Sequence, residues 1–179
     1  MEKNIKVPEG VEVSINGFKV KVKGKLGELE RDFYNKGVAN ILKIEKNGEG
    51  IKVISNIETK RGKALVGTAA SHILNLFEGV TLGYKYTMKI LYTHFPITLE
   101  QKGNEIIIKN FLGQKGDRKA KFSPEVKIEI KKDDLTITGL DKELVGQAAA
   151  SLEDASRIKK KDRRRFQDGI FILEKGVGQ

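Results

Sequence analysis

Apolar and polar residues alternate in several short segments of the chain, which is the pattern of β-strands that bury one face. Val11, Val13 and Ile15 lie at alternate positions. After a turn that contains Gly17, Val20 continues the alternation. We therefore predict a hairpin here, with two strands that share a buried face.

Two longer segments space their apolar residues three and four apart, as an amphipathic helix does. The residues on the two apolar faces are Leu65, Ala69, Ile73 and Leu76 in the first segment and Leu144, Ala148, Leu152 and Ala155 in the second. Gly67 and Gly146 lie inside these segments, although glycine costs a helix about 1 kcal/mol relative to alanine. Close packing of each helix against a sheet is the expected reason.

The order of these elements occurs twice. Residues 11–27 align with residues 97–113 without a gap, and residues 65–70 recur as residues 144–149. Between these blocks each half carries a predicted strand pair, and the two predicted turns are Asn47-Gly48 and Asp133-Asp134. Three matching blocks in the same order indicate a duplicated domain.

The predicted fold class is α+β, with two tandem duplicated domains that are each mostly antiparallel β-sheet with one packed α-helix. The first repeat is predicted to span residues 1–82, and alternation over residues 83–92 predicts the strand that closes its sheet. The second repeat is predicted to span residues 93–179. The boundary is placed at residues 93–96, because Pro96 ends the alternating pattern.

Charge is concentrated in one short segment. The 179 residues include 34 Lys and Arg against 24 Asp and Glu, a formal net charge of +10. Residues 83–179 hold 20 basic and 14 acidic residues, an excess of six, and residues 157–165 alone hold seven basic residues and one acidic residue. The excess of this half therefore lies in nine consecutive residues. Because phosphate neutralisation releases counterions, the expected partner is a polyanion such as RNA.

The basic segment is predicted to bind phosphate, since arginine can grip two phosphate oxygens at once and lysine adds a mobile charge. Its predicted contact residues are Arg157, Lys159, Lys160, Lys161, Arg163, Arg164 and Arg165. The alternative is a solvated helix end, but a helix end needs one or two cations rather than seven. For the neighbouring Phe166, a core position is favoured over stacking on a base.

A second basic segment adds candidate contacts at Lys115, Arg118 and Lys119. The corresponding residues 28–32 of the first repeat are acidic on balance. An ordinary charged hairpin loop is the alternative for this segment and stays open.

The chain lacks the residues that several classes of function require. The chain has no Cys and two His, which excludes a thiolate metal site and a multi-histidine site. No nucleophile motif or phosphate-cradling loop is found, so we expect no enzyme activity, no cofactor, no metal and no small-molecule substrate. No apolar run is long enough to cross a membrane, and the expected compartment is the cytoplasm. A general nucleic-acid-binding module and an RNA-modifying enzyme remain competing classes, although the second lacks an identifiable catalytic group.

The carboxy-terminal motif resembles a known family. Residues 164–172 read Arg-Arg-Phe-Gln-Asp-Gly-Ile-Phe-Ile and are followed by Lys175. This segment is similar to the pattern Arg-x-Phe-x-Asp-Gly-aliphatic-aromatic-aliphatic of archaeal and eukaryotic members of the large-subunit ribosomal protein six family, which is numbered nine in eukaryotes. Residues 7–11 and 22–29 resemble the opening of the same family. The bacterial carboxy-terminal pattern is absent, so bacterial contacts are not transferred.

The resemblance implies a structural, non-catalytic protein of the cytoplasmic ribosome. It implies assembly into the large subunit near the factor-binding region, with the second domain on large-subunit rRNA close to the sarcin-ricin loop. The implied partners are this rRNA, neighbouring large-subunit ribosomal proteins and translation factors nearby. The RNA-contact role is carried over to Arg163, Arg164, Arg165 and Lys175, whereas Arg157 and residues 159–161 are candidates from charge density alone.

Overall fold

The chain forms two compact units, Met1–Leu82 and Gly83–Gln179. A computed structural model describes residues 2–35, 38–47, 50–159 and 161–178. Within these ranges the chain forms thirteen β-strands and two α-helices, which confirms the predicted α+β fold of two duplicated domains. No helix in the described residues is long and apolar enough to cross a membrane.

The first unit has two three-stranded antiparallel sheets and one long helix. Its elements are β1 (Glu2–Lys6), β2 (Glu12–Asn16), β3 (Lys19–Lys23), β4 (Glu28–Asp32), β5 (Leu42–Asn47), β6 (Gly50–Ser55) and α1 (Lys60–Thr81). The strand orders are β1-β6-β5 and β2-β3-β4. Alternation places Val20 and Val22 of β3 in the core, where both are fully buried. Thr59 caps α1 by accepting a hydrogen bond from the Gly62 N–H at 3.3 Å.

The second unit has a three-stranded sheet, a four-stranded sheet and one helix. Its elements are β7 (Tyr84–Leu91), β8 (Thr98–Lys102), β9 (Glu105–Lys109), a 3-10 turn (Phe111–Gly113), β10 (Arg118–Lys121), β11 (Lys127–Lys131), β12 (Asp134–Gly139), α2 (Lys142–Ala155) and β13 (Gly169–Val177). The strand orders are β10-β9-β8 and β11-β12-β7-β13, and all pairs are antiparallel. The strand β7 is therefore central, with β12 on one side and β13 on the other.

The strand over residues 83–92 does not close the first repeat, so that prediction is wrong. Ile90 of β7 pairs with Ile170 of β13, and Tyr86 pairs with Ile137 of β12. The two units divide after Leu82 rather than at residues 93–96. Alternation shows that a strand buries one face, but it does not show which core receives that face. The equivalent strand of the first unit is β1, which precedes its hairpin as β7 precedes β8.

The turn between β11 and β12 lies one residue earlier than predicted. Lys131 pairs with Asp134, so the turn consists of Lys132 and Asp133, and Lys132 takes the left-handed conformation with φ of 51°. In the first unit Asn47 pairs with Gly50. Gly48, which belongs to the predicted Asn47-Gly48 turn, lies outside the described residues.

The predicted reason for the helical glycines is also wrong. A Cβ atom built at Gly67 meets no heavy atom within 4 Å, and one built at Gly146 meets only the Tyr86 ring at 4.0 Å. Neither glycine is required by close packing. In contrast, Gly62 in the first turn of α1 packs tightly, because a Cβ atom there would lie 2.6 Å from Ser55 Oγ.

We predict that Gly67→Ala raises the free energy of unfolding by about 0.5 to 1 kcal/mol, since alanine loses less backbone freedom in a helix and its methyl group meets open space. Gly62→Ala is the matched control within the same helix, and overpacking against Ser55 and the Ile57 carbonyl oxygen should cost it about 1 to 3 kcal/mol. Denaturant unfolding of the full chain measures both variants. Destabilisation by Gly67→Ala would contradict the open space seen at that position.

Candidate nucleic-acid interface

The basic segment forms the connection between α2 and β13. We call residues 157–165 the basic loop. Its cationic side chains among the described residues are exposed, namely Arg157, Lys159, Lys161, Arg163, Arg164 and Arg165. Lys160 lies outside the described residues. No helix or strand forms in the described part of the loop, so its cations face solvent in irregular backbone.

A turn at Asp162 gives the basic loop its local shape. The Asp162 Oδ1 atom accepts a hydrogen bond from the Arg164 N–H at 3.0 Å, and the Asp162 carbonyl accepts from the N–H groups of Arg165 and Phe166. The Arg164 guanidinium also pairs with the Asp162 carboxylate at 3.0 Å. These side-chain and backbone hydrogen bonds from Arg164 lower the pKa of Asp162. One carboxylate therefore orders the turn and neutralises part of the charge of Arg164.

Buried polar side chains anchor the chain on both sides of the basic loop. Before the loop, the Ser156 Oγ atom accepts a hydrogen bond from the Ile170 N–H at 3.0 Å and donates to the Glu153 carbonyl. After the loop, Asp168 is 2% exposed, and its Oδ1 atom accepts from the Thr93 N–H and hydroxyl at 3.2 and 2.9 Å. These bonds fix the point at which the chain enters β13.

Phe166 occupies the core position that was favoured from the sequence. It is half-buried and packs against the core of the second unit. The Lys161 Nζ atom lies 4.4 Å from the centroid of its ring. A cation at this distance from an aromatic ring is a favourable contact, so Phe166 holds the loop down through packing and a cation–π interaction.

Arg118 holds the start of the basic loop in place. Its guanidinium donates hydrogen bonds to the carbonyl groups of Ala155 and Arg157 at 3.0 and 2.9 Å. It also donates to the Gln114 side chain at 3.3 Å and lies 4.1 Å from the centroid of the Phe111 ring. Partial burial lowers the pKa of Arg118. The structure thus uses Arg118 to hold the end of α2, and we assign it to support rather than to the phosphate contact expected from the sequence.

The other predicted contacts are not gathered around the basic loop. Lys115, Lys119 and Lys175 are all exposed. Along β10 the buried Ala120 and half-buried Arg118 face the core, so Lys119 points to the opposite face of the sheet. Lys175 lies six residues after Gly169 on β13, roughly 20 Å along the strand at about 3.3 Å per residue. These lysines could contact only other stretches of a large ligand.

A cleft lies beside the basic loop. Its volume is 670 Å³. Three cations of the loop line it, namely Arg157, Arg163 and Arg164, together with the apolar side chains of Leu91, Ile158 and Phe171. The sequence analysis missed Leu91 and Phe171 as functional candidates. The available signal was their alternation with buried Ile90 and Ile170, which places them on the outer face of the sheet.

No group of three or more potential ligands that could hold a metal ion occurs among the described residues. The cleft combines three arginines, the carboxylates of Glu153, Asp154 and the buried Asp168, and apolar surface. Phosphate groups and nucleobases are ligands that such a mixture can bind, since guanidinium groups pair with phosphate and apolar or aromatic surfaces stack against bases.

Comparison with known proteins shows the family. The family model described as Ribosomal protein L6 matches residues 7–83 and 95–169. The chain is 51% identical over 175 residues to a protein from Staphylothermus marinus and 47% identical over 174 residues to one from Aeropyrum pernix. These alignments cover 96% and 97% of this chain and 93% of each relative, and both relatives are named large ribosomal subunit protein uL6.

The chain belongs to the ribosomal protein L6 family.

Membership in the L6 family confirms the resemblance found in the carboxy-terminal motif. It also confirms the prediction that the chain is a structural ribosomal protein rather than an enzyme. The two matched ranges correspond to the two repeats, and the second range runs through the basic loop to Gly169. The loop therefore belongs to the part of the chain that the L6 family model describes.

We predict that Arg118→Lys lowers the free energy of unfolding by about 1 to 3 kcal/mol. Lysine keeps the positive charge, but its single ammonium group cannot bond to both carbonyl groups and Gln114 as the planar guanidinium does. Lys119→Ala, a change at the exposed neighbouring position, should alter stability by less than about 0.5 kcal/mol. Thermal or denaturant unfolding distinguishes the two. Full stability of Arg118→Lys would show that the guanidinium does not support the loop.

Proposed function

We propose that this chain is a constituent of the large subunit of the cytoplasmic ribosome and binds large-subunit rRNA mainly through the basic loop. The proposal rests on six cations that are exposed among the described residues of a short loop. Buried side chains anchor the chain on both sides of this loop. The names of the relatives from Staphylothermus marinus and Aeropyrum pernix support the subunit assignment.

The anchoring of the loop favours tight binding. Ser156 and Asp168 hold the backbone on each side, and Asp162 orders the turn between them. A loop that is already ordered loses less conformational entropy when it binds, so more of the electrostatic attraction appears as affinity. The exposed cations can then neutralise several phosphates of a folded RNA backbone and release counterions. Binding of this kind depends on RNA shape more than on sequence.

The carboxy-terminal motif supports the proposed location within the subunit. Its similarity to archaeal and eukaryotic members supports a site near the factor-binding region and the sarcin-ricin loop, with neighbouring ribosomal proteins and translation factors as nearby partners. Arg163, Arg164 and Arg165 are the primary contacts in this proposal. Lys119 and Lys175 would contact other RNA segments, because Lys119 points to the opposite face of its sheet and Lys175 lies roughly 20 Å along β13 from Gly169.

The direct test uses the tagged chain in its own cells. We expect it to co-sediment with large subunits in moderate salt, and crosslinks from residues 157–165 should map to large-subunit rRNA near the sarcin-ricin loop. Loss from the subunit in modest salt would instead favour a free nucleic-acid-binding module. Crosslinks to a distant region of the rRNA would remove the proposed location but leave the subunit assignment standing.

Replacing Arg163, Arg164 and Arg165 together by Ala should weaken binding to extracted large-subunit rRNA. The slope of log affinity against log salt concentration should fall by about 2 to 3, because about one counterion is released for each phosphate neutralised. Stability should change by less than about 1 kcal/mol, since these side chains are exposed. A filter-binding salt titration measures the slope.

The control for the triple variant removes the same charge from the first unit through Lys3→Ala, Lys23→Ala and Lys25→Ala. These lysines are also exposed. The control should retain most of the affinity if the basic loop is the principal contact. Equal losses in the two triple variants would show that net charge, and not the loop, determines binding.

A separate prediction concerns Asp162. Asp162→Asn keeps an acceptor for the Arg164 N–H but removes the negative charge that pairs with the Arg164 guanidinium. The affinity for large-subunit rRNA at low salt should rise about threefold, and the salt slope should steepen by about 1 as Arg164 becomes free for phosphate. The same filter-binding titration tests it. A lower affinity would mean that the ion pair positions Arg164 for binding.

A further inference from the structure

We propose that Phe171 is a stacking platform for one unpaired RNA base, which enters the cleft beside the basic loop. This inference rests on the proposed rRNA-binding function and adds a specific ligand group to it. The basic loop supplies contacts to phosphate, whereas the cleft supplies an aromatic and apolar surface that phosphate does not need. The combination fits a nucleotide turned out of a folded RNA.

The register of β13 places Phe171 on the outer face of its sheet. Phe171 pairs directly with Lys89 of β7, and Gly169 pairs with Leu91. Lys89 and Leu91 are both exposed, whereas the intervening Ile170 is 1% exposed and belongs to the core. Because directly paired residues share a face of the sheet, Phe171 lies on the same outer face as Lys89 and Leu91.

The glycine at position 169 allows the ring of Phe171 to lie close to the strand. A Cβ atom at Gly169 would come within 2.9 Å of Phe171 Cζ and 3.0 Å of Phe171 Cε2. Any other residue would displace the ring. The simpler explanation is that the ring only packs on a buried glycine, but the same half-buried ring also lines the 670 Å³ cleft. It is therefore available on the side away from the strand.

The chemistry around Phe171 suits a nucleotide. The cleft is lined by Arg157, Arg163 and Arg164, whose guanidinium groups can hold the phosphates on either side of a base. Glu153, Asp154 and Asp168 also line it, and their carboxylates can accept hydrogen bonds from the amino groups of a base. Its apolar lining includes Leu91 beside Phe171. Its volume falls within the range of about 300 to 1,000 Å³ that is typical of small-ligand sites. Each base has a π-face, so stacking here would tolerate any base identity.

Phe166 does not offer the same platform. Phe166 also lines the cleft, but Lys161 lies over its ring and the side chain packs against the core. The chain thus has two aromatic side chains beside the basic loop with different roles. Phe166 anchors the loop, and Phe171 contacts the RNA.

The first experiment uses the absence of tryptophan from the natural chain. Phe171→Trp introduces a single tryptophan into the chain, and its emission can be excited apart from that of the four tyrosines. We expect a single-stranded RNA of about eight nucleotides, within the usual site sizes of single-strand binding folds, to quench its emission by stacking. Inorganic polyphosphate of similar charge should bind the arginines and leave the emission unchanged. Equal quenching by the two polyanions would overturn the proposal.

The second experiment does not depend on accommodation of the larger tryptophan. Phe171→Leu keeps an apolar side chain but loses the aromatic face, and Phe171→Tyr restores the face. Binding of extracted large-subunit rRNA should weaken about tenfold in Phe171→Leu and recover in Phe171→Tyr, as expected for loss of one stacked base. Tyr34→Leu is the control, because it removes an exposed aromatic ring from the first unit, and it should leave the affinity within about threefold.

The alanine triple variant of Arg163, Arg164 and Arg165 separates the two levels of the proposal. Loss of affinity in both that variant and Phe171→Leu supports the stacking platform. If only the triple variant loses affinity, the basic loop binds RNA and the role of Phe171 is overturned. If neither does, the proposed rRNA contact fails, and the stacking platform fails with it. Failure of Phe171→Tyr to restore binding would show that Phe171→Leu acts through packing.

Discussion

The second unit depends on hydrogen bonds that fix where the chain returns to its sheet after α2. The Ser156 hydroxyl accepts a hydrogen bond from the Ile170 N–H. The Asp168 carboxylate accepts hydrogen bonds from the N–H and the hydroxyl of Thr93. These groups are buried, so leaving them unpaired would be costly. Because both sides of the connection are fixed, the described residues 157–159 and 161–165 form a short loop whose cations are exposed. The position of the cations is therefore a consequence of a buried polar constraint, and RNA binding would use a shape that folding has already set.

The charged residues around this loop have different roles although the sequence presents them alike. The Arg118 guanidinium donates hydrogen bonds to the Ala155 and Arg157 carbonyl groups and to the Gln114 side chain. Arg164 shares its charge with Asp162. A guanidinium that is held by protein acceptors supports structure, whereas an exposed one can pair with phosphate. Net charge alone thus overstates the number of cations available for RNA. It also does not distinguish the residues that hold the loop in place from those that can contact phosphate.

The basic loop belongs to a part of the second unit that the duplication does not share with the first unit. In each unit a strand precedes a hairpin and one helix follows the strand pair, and among the described residues the sheet order β5-β6-β1 matches β11-β12-β7. The second unit adds β13 next to β7, and the basic loop is the segment that leads to it. The proposed RNA contact is therefore associated with the addition to the repeat. The first unit retains the shared core around Val20, Val53 and Ile73.

The sequence by itself determined the alternating strands, the helical faces, the duplication, the clustered charge and the family resemblance, because each is visible in local periodicity or in the alignment of two segments. Tertiary structure decided the rest. The sheet that received β7 depended on pairing with β12 and β13, which are remote in sequence. The structural role of Arg118 required the end of α2 to lie beside β10. The different surroundings of Phe171 and Phe166, which are both half-buried, depended on strand register and loop packing, which no local pattern of residues specifies.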